Sequence, residues 1–228
     1  LLDASILYRG ITVKDVIIIA IFVSIVLGTG FYVYGTLHAP IASSADSTDP
    51  ILIDSDPIQT SVPDTLITVI CKGKERYTLH PKARYRLNGR IVSYKRYYKG
   101  YFHHLSPWDY ATLWGDIDRY LPYLKFDQIF RFCLFKTKHP EKVDIAYIER
   151  HMANNHLIPA TQNIRRAMGK VKKSDLVRIE GFLVNVTGVD AKNRVINWKT
   201  STTREDTGNG ACEIIYVRKL RLNNNIYE

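Results

Sequence analysis

Apolar residues are distributed in two ways along this chain. Between Val16 and Tyr34 nineteen consecutive residues carry no charge. At about 1.5 Å per residue a helix of that length covers about 28 Å, the hydrocarbon thickness of a bilayer. A lone segment in lipid satisfies its own backbone only as a helix, so a membrane-spanning helix is expected. A cleavable signal peptide would have a shorter apolar stretch, about 7–15 residues, which argues against cleavage at the small residues between Ala39 and Ser43. After residue 65 the apolar positions come in short stretches that alternate or recur every three or four residues, the mark of a folded domain.

Within that domain Leu66–Cys71 reads as a short strand, and Asn88-Gly89 between alternating flanks predicts a hairpin turn. Ser106-Pro107-Trp108-Asp109 has the form of a helix start. It predicts a helix ending before Pro122, with Tyr110, Leu113, Trp114 and Ile117 facing the core. Gln128–Lys136 predicts a strand, and Asp144–Met152 and Ala160–Met168 predict helices, with Asn154 and Asn155 turning the chain after the first. Three strands follow at Asp175–Val186, Arg194–Ser201 and Ala211–Leu222, with Gly181 marking a bulge or bend. The expected class is α+β: a cytoplasmic flank and transmembrane helix (1–36), an extended acidic linker (37–65), and a basic mixed domain (66–228). That domain is expected to contain a C-terminal antiparallel sheet or a small β-barrel, OB-like or SH3-like.

Charge adds an orientation. Arg9 and Lys14 precede the apolar run and no Lys or Arg lies between Gly35 and Cys71, which by the positive-inside rule puts the N-terminus in the cytoplasm and the bulk outside. Ala20, Ser24 and Gly28 recur every fourth residue and form a small-residue face against which another helix can pack. The linker carries four prolines, five Asp and no cation, so it reads as a spacer, with Ile51-Leu52-Ile53 as a stretch able to dock and turn it into a strap. Residues 67–228 hold 30 cations against 15 acids, a balance that favours anionic partners. The expected contacts on such partners are Lys95, Arg96, Lys99, Arg165, Arg166, Lys172 and Lys173.

Candidate chemistry is sparse. Zinc needs three or four converging ligands, and the available histidines, His103, His104, His151 and His156, lack metal-site spacing, so no metal and no cofactor is expected. Asp206-Thr207-Gly208 has the form of an aspartic-protease tripeptide but has no second copy, and it reads as a strand connection. The cysteines Cys71, Cys133 and Cys212 show no CxxC spacing. Tyr94 to Phe102 interleaves rings and cations. On a strand this places tyrosines inward and cations in water, and binding of nucleic acid is not expected.

The segments Tyr147–Pro159 and Thr200–Val217 resemble those of poorly characterised bacterial proteins with a membrane anchor and an exported domain. The resemblance implies a place in the bacterial envelope and no known activity. The leading expectation is a non-enzymatic single-pass subunit of an envelope complex, N-terminus cytoplasmic and domain periplasmic, that meets the membrane and other membrane subunits or its own copy. The alternative is an anchored binding module for an anionic polymer or lipid head group. A hydrolase would require a pocket that gathers His103, His104 or His156 with an acid such as Asp109.

Overall fold

A computed structural model of the protein describes residues 12–45, 49–63, 65–70, 75–190, 192–205 and 212–228. The chain divides into two compact units between Ala39 and Pro40. The first holds helix α1 (Val13–Leu37). Thr12 caps it reciprocally: its side-chain oxygen accepts the Asp15 amide at 3.3 Å, and Asp15 accepts the Thr12 amide at 2.8 Å. The box satisfies two orphan donors and sets an acid at the positive helix end. With 25 residues the helix is about 37 Å long and is apolar enough to cross a membrane.

The second unit is mostly strand. In chain order it contains β1 (Ser44–Ala45), β2 (Ile58–Thr60), β3 (Ile67–Ile70), β4 (Arg76–Arg96), β5 (Trp108–Leu113), β6 (Leu124–Ile129), β7 (Phe132–Thr137), α2 (Ile145–Arg150), β8 (Met152–Pro159), α3 (Gln162–Met168), β9 (Leu176–Val189), β10 (Val195–Trp198), β11 (Ile214–Leu222) and β12 (Asn225–Tyr227). Strand β4 pairs with β5 on one side and β9 on the other, β5 pairs with β8, β8 with β11, and β11 again with β9. The pairings therefore return to their start through five strands. The β8–β11 pair is parallel, so the sheet is mixed rather than antiparallel as expected.

Inside the ring Leu87, Ile91, Tyr110, Leu157, Ile179, Leu183 and Val217 form the main apolar cluster, closed by Ile164, Ala167 and Met168 of α3. The helix is short and starts at a Thr161 cap whose oxygen accepts the Ile164 amide. A second cluster covers the outer face of β4 and β5, where Val92, Ala111 and Leu113 meet Leu124 and Cys133 from the β6–β7 hairpin and Ile148 of α2.

Four local expectations give way to tertiary context. No hairpin forms at Asn88-Gly89, because β4 runs straight through it, paired with Arg178 and Val177. The alternation continues across the pair, and Gly89 fills an inward position where a Cβ would press to 3.1 Å from Thr112 Cβ. Asn88 is held in the strand by bonds to the Leu52 carbonyl (2.7 Å) and from Arg178 Nε (2.9 Å). The helix expected after Ser106 is strand β5 instead. All six of its residues are buried between β4 and β8, Asp109 and Thr112 among them, and a short run buried on both faces carries no reliable period. Asn154 and Asn155 do not turn the chain. They sit within β8, with Asn155 Nδ2 bonded to the Tyr110 carbonyl and Thr112 Oγ1 (3.1 and 2.9 Å). The single strand expected over Gln128–Lys136 is divided by a tight turn at Phe130-Arg131 into β6 and β7.

The acidic stretch expected as a spacer lies along this unit over much of its length. β1 pairs with β12 and β2 with β4, Ile51 is buried, and Ile53 packs on both main clusters. Asp56 accepts the Trp114 indole proton at 2.8 Å, and the Gly115 amide donates to the Ile53 carbonyl at 2.5 Å.

Gly181 permits the ring to close. It sits where β9 touches β11 opposite a bulge between Val217 and Lys219, and a Cβ there would overlap the Tyr216 carbonyl oxygen. The bulge expected near Gly181 thus falls in the partner strand. Gly181→Ala is expected to cost about 1–3 kcal/mol through overpacking, read as a lower urea midpoint with an unchanged m-value.

Candidate functional site

The antiparallel register of β5 and β8 sets Asp109 directly opposite His156. Both side chains are buried, Asp109 to 0% exposure. The Asp109 Oδ1 atom is 2.9 Å from His156 Nδ1 and accepts from Arg131 Nη1 at 2.9 Å. A carboxylate oxygen in this contact accepts from a protonated Nδ1, which leaves His156 Nε2 to face away from Asp109. Arg131 also donates to the Ser106 and Tyr101 carbonyls (2.9 and 3.1 Å) and lies 4.2 Å over the Tyr97 ring. Its own carbonyl accepts from Asn154 Nδ2 at 2.8 Å. One arginine thus joins the β6–β7 turn to β5 and the loop between β4 and β5 through its guanidinium, and to β8 through its carbonyl.

Two buried oxygens in this cluster, Asp109 Oδ2 and Ser106 Oγ, have no hydrogen-bond partner among the described residues. Tyr97 donates to the Phe130 carbonyl at 2.5 Å. Burial, and after it the nearby Asp109 carboxylate, push the Tyr97 pKa up, so this donor keeps its proton.

Beside the cluster opens a cleft of about 480 Å³ lined by His156, Arg131, Phe102, Trp198, Lys199 and Cys212, among others. Trp198 stacks on Phe102 at 4.3 Å between ring centroids and lies 4.8 Å from the His156 ring. Lys199 has no carboxylate partner among the described residues and is exposed. Cys212 enters through the backbone: the His156 amide donates to the Glu213 carbonyl at 2.8 Å, and Asn154 Nδ2 lies 3.8 Å from Cys212 Sγ. Two cations, an imidazole, stacked rings and a thiol therefore share one opening, with a buried carboxylate behind the imidazole.

The chain matches no family model, no curated protein and no solved structure. Its chemistry is accordingly read from geometry alone.

The residues singled out from sequence separate into distinct places. His156 joins Asp109, whereas His104 pairs with Glu75 (2.8 Å), His103 contacts the Gly100 carbonyl (2.8 Å), and His151 stacks on Tyr147 (3.8 Å). No three His, Cys, Asp or Glu side chains converge as metal ligands among the described residues. Lys95, Arg96 and Lys99 lie at the end of β4 and in the loop after it, Arg165 and Arg166 on α3, and Lys172 and Lys173 in the turn beyond. Trp108 stands between the two groups, 5.4 Å under the Arg96 guanidinium and against Gly169. The tyrosines of the basic–aromatic stretch do not all point inward as expected, since Tyr94, Tyr98 and Tyr101 are exposed. Ala20, Ser24 and Gly28 lie on α1, where Ser24 Oγ donates to the Ala20 carbonyl at 2.8 Å. Cys71 and Asp206-Thr207-Gly208 lie outside the described residues.

Arg131, Trp198 and Lys199 were not singled out from sequence. Arg131 had a signal, a lone cation inside an apolar run.

Arg131→Ala leaves a buried carboxylate with one partner fewer and is expected to cost about 3–5 kcal/mol. Asp109→Asn added to it should recover part of that loss in a double-mutant cycle of urea unfolding. Cys133 gives a second expectation. Burial, and then nearby Asp127, push its thiol up to about 12, so at pH 8 on the order of one in ten thousand is the reactive thiolate. Mass mapping after brief maleimide treatment should find Cys133 unmodified in the folded protein and modified in urea.

Proposed function

We propose that this chain is a membrane-anchored accessory module of the bacterial envelope that binds an acidic saccharide unit of a polymer in the cleft beside His156. In this reading α1 spans the inner membrane with its N-terminus in the cytoplasm, the domain is periplasmic, and Ala20, Ser24 and Gly28 offer a face to a neighbouring subunit's helix.

The carrying observation is the place of the cleft in the strand ring. Numbered along the ring's own five strands, the pairing order is first, second, third, fifth, fourth, first, with the third and fifth parallel and a helix between the third and fourth. We take this as a closed OB-like barrel. Such barrels bind oligonucleotides and oligosaccharides on the face of strands two and three, between the loops after strands one and four. Here those elements are β5 and β8, the loop with Tyr101 and Phe102, and the connection with Trp198 and Lys199; β8 and both connections line the cleft, and β5 backs it through Asp109 behind His156. The argument from fold is one of analogy; the choice of ligand comes from the cleft's own chemistry. Stacked rings suit a sugar face, and Arg131 and Lys199 suit a carboxylate.

A second reading has its own observation, Cys212 in the cleft that the Asp109–His156 pair faces. A base held by an acid beside a thiol is the arrangement of nucleophilic cysteine catalysis. Alkylation of Cys212 against pH separates the two. A rate that persists well below pH 7 and falls in His156→Ala favours thiol chemistry, whereas an ordinary thiol titrates near about 8.5.

For the binding reading, tri-galacturonate should quench the tryptophan emission of the full chain saturably, more weakly at high salt and several-fold more weakly in Lys199→Glu. A neutral probe, chitotriose, should quench little. No saturable response to tri-galacturonate, or an equal one to chitotriose, overturns the acidic-saccharide proposal.

A further inference from the structure

We propose that the tip of the β6–β7 hairpin, with the basic loop beside it, inserts into the head-group region of an anionic phospholipid bilayer. The inference rests on the anchor in α1 and is independent of the cleft's ligand.

The tip departs from what a soluble hairpin requires. Its two-residue turn is Phe130-Arg131, and Phe130 has φ 55°, the left-handed region that glycine or asparagine ordinarily fills in such turns. Phe130 is also 82% exposed. A bulky apolar residue thus occupies a strained turn position and projects into solvent, and such outliers concentrate at functional surfaces. Ile129 and Phe132 flank it as exposed apolar residues, and Tyr98, 72% exposed, belongs to the adjoining loop.

The tip is braced rather than loose. The Tyr97 hydroxyl donates to the Phe130 carbonyl, Lys95 Nζ reaches the Gln128 carbonyl at 3.4 Å, and Arg131 is fixed on Asp109. These bonds hold the hairpin to the loop, so that Phe130 does not fold back on the domain.

The surrounding charge names the occupant. Lys95 reaches the hairpin itself, Arg96 and Lys99 belong to the strand end and loop that carry Tyr97 and Tyr98, and no acid occurs between Val92 and Trp108. Midway along the hairpin Asp127 is matched by Lys136 at 3.7 Å. Apolar rings ringed by long cations are the pattern of an interfacial anchor: rings enter the acyl boundary, tyrosines sit among head groups, and Lys and Arg reach lipid phosphates. Basic residues near an anionic leaflet strengthen such contacts. A chain already tethered by a spanning helix meets lipid at high effective concentration, so that even a weak contact is populated.

The full chain reconstituted in nanodiscs tests this directly. Incorporation into discs reads the anchor by itself. Phe130→Trp emission should then be quenched at least twofold more by lipids brominated on their acyl chains than that of Val195→Trp, whose site on β10 is equally exposed (85%). Quenching should fall when phosphatidylglycerol is replaced by phosphatidylcholine, and again when Lys95→Glu and Lys99→Glu are added. Incorporation with no excess quenching at position 130 overturns the proposal, as does quenching indifferent to both lipid charge and lysine reversal. Shielding of position 130 seen only in native membranes and not in protein-free discs points to a protein partner instead, and also overturns it.

Discussion

A single buried carboxylate organises the outer face of the domain. Asp109 is fully enclosed and is paid for by the two groups it holds, His156 and Arg131. Each partner comes from a different element, and Arg131 in turn binds the carbonyls of the loop that leads into β5. The cleft, the β6–β7 hairpin and the basic loop therefore share one electrostatic fastening. Charges buried in this way add little net stability against apolar replacements but are costly to leave half-paired. Their contribution here is position: they decide where His156 faces and in which direction the hairpin points.

The inner side of the same strands is fastened by other means. Strand β4 is long enough to pair with β2, β3, β5 and β9, and β9 in turn reaches β11 across Gly181. Apolar contacts fill the ring, and α3 closes the cluster, with the Tyr110 hydroxyl bonded to the Met168 carbonyl at 2.5 Å. One residue of β5 alternates with the next between these two systems, Tyr110 inward and Asp109 outward. A one-residue slip of that strand would exchange them.

Legibility of the sequence followed from where the deciding interactions lie. Strands β9, β10 and β11 and helices α2 and α3 are written in local periodicity and caps; each is found within its expected stretch except β9, which runs on from Val186 to Val189. β5 and β8 are not. Their apolar and amide residues are buried by neighbours far along the chain, and Asn154-Asn155 looks like a turn until Tyr110 and Thr112 supply partners. Asn88-Gly89 misled for the converse reason, a strong local turn signal overruled by pairing with Arg178 and Val177 of β9. The union of His156 with an acid such as Asp109 was expected only as a condition for chemistry. No spacing rule predicts it, because 47 residues separate the two. Arg131 was missed for want of a partner visible in sequence.

The strap along the domain bears on the order of assembly. Its first strand, β1, pairs with β12, the last element of the chain, and Ser43 bonds to Ile226 across 183 positions. Asn163 ties Ile41 and the Glu228 carbonyl together. Residues 41–45 therefore find their partners only once residues 163 and 225–228 are in place, whereas β2 and Ile53 meet partners in β4 and at Gly115. The strap thus docks in two stages, its far half against β4 first, and the pairing of β1 with β12 reports that residues 225–227 have already folded back on β11.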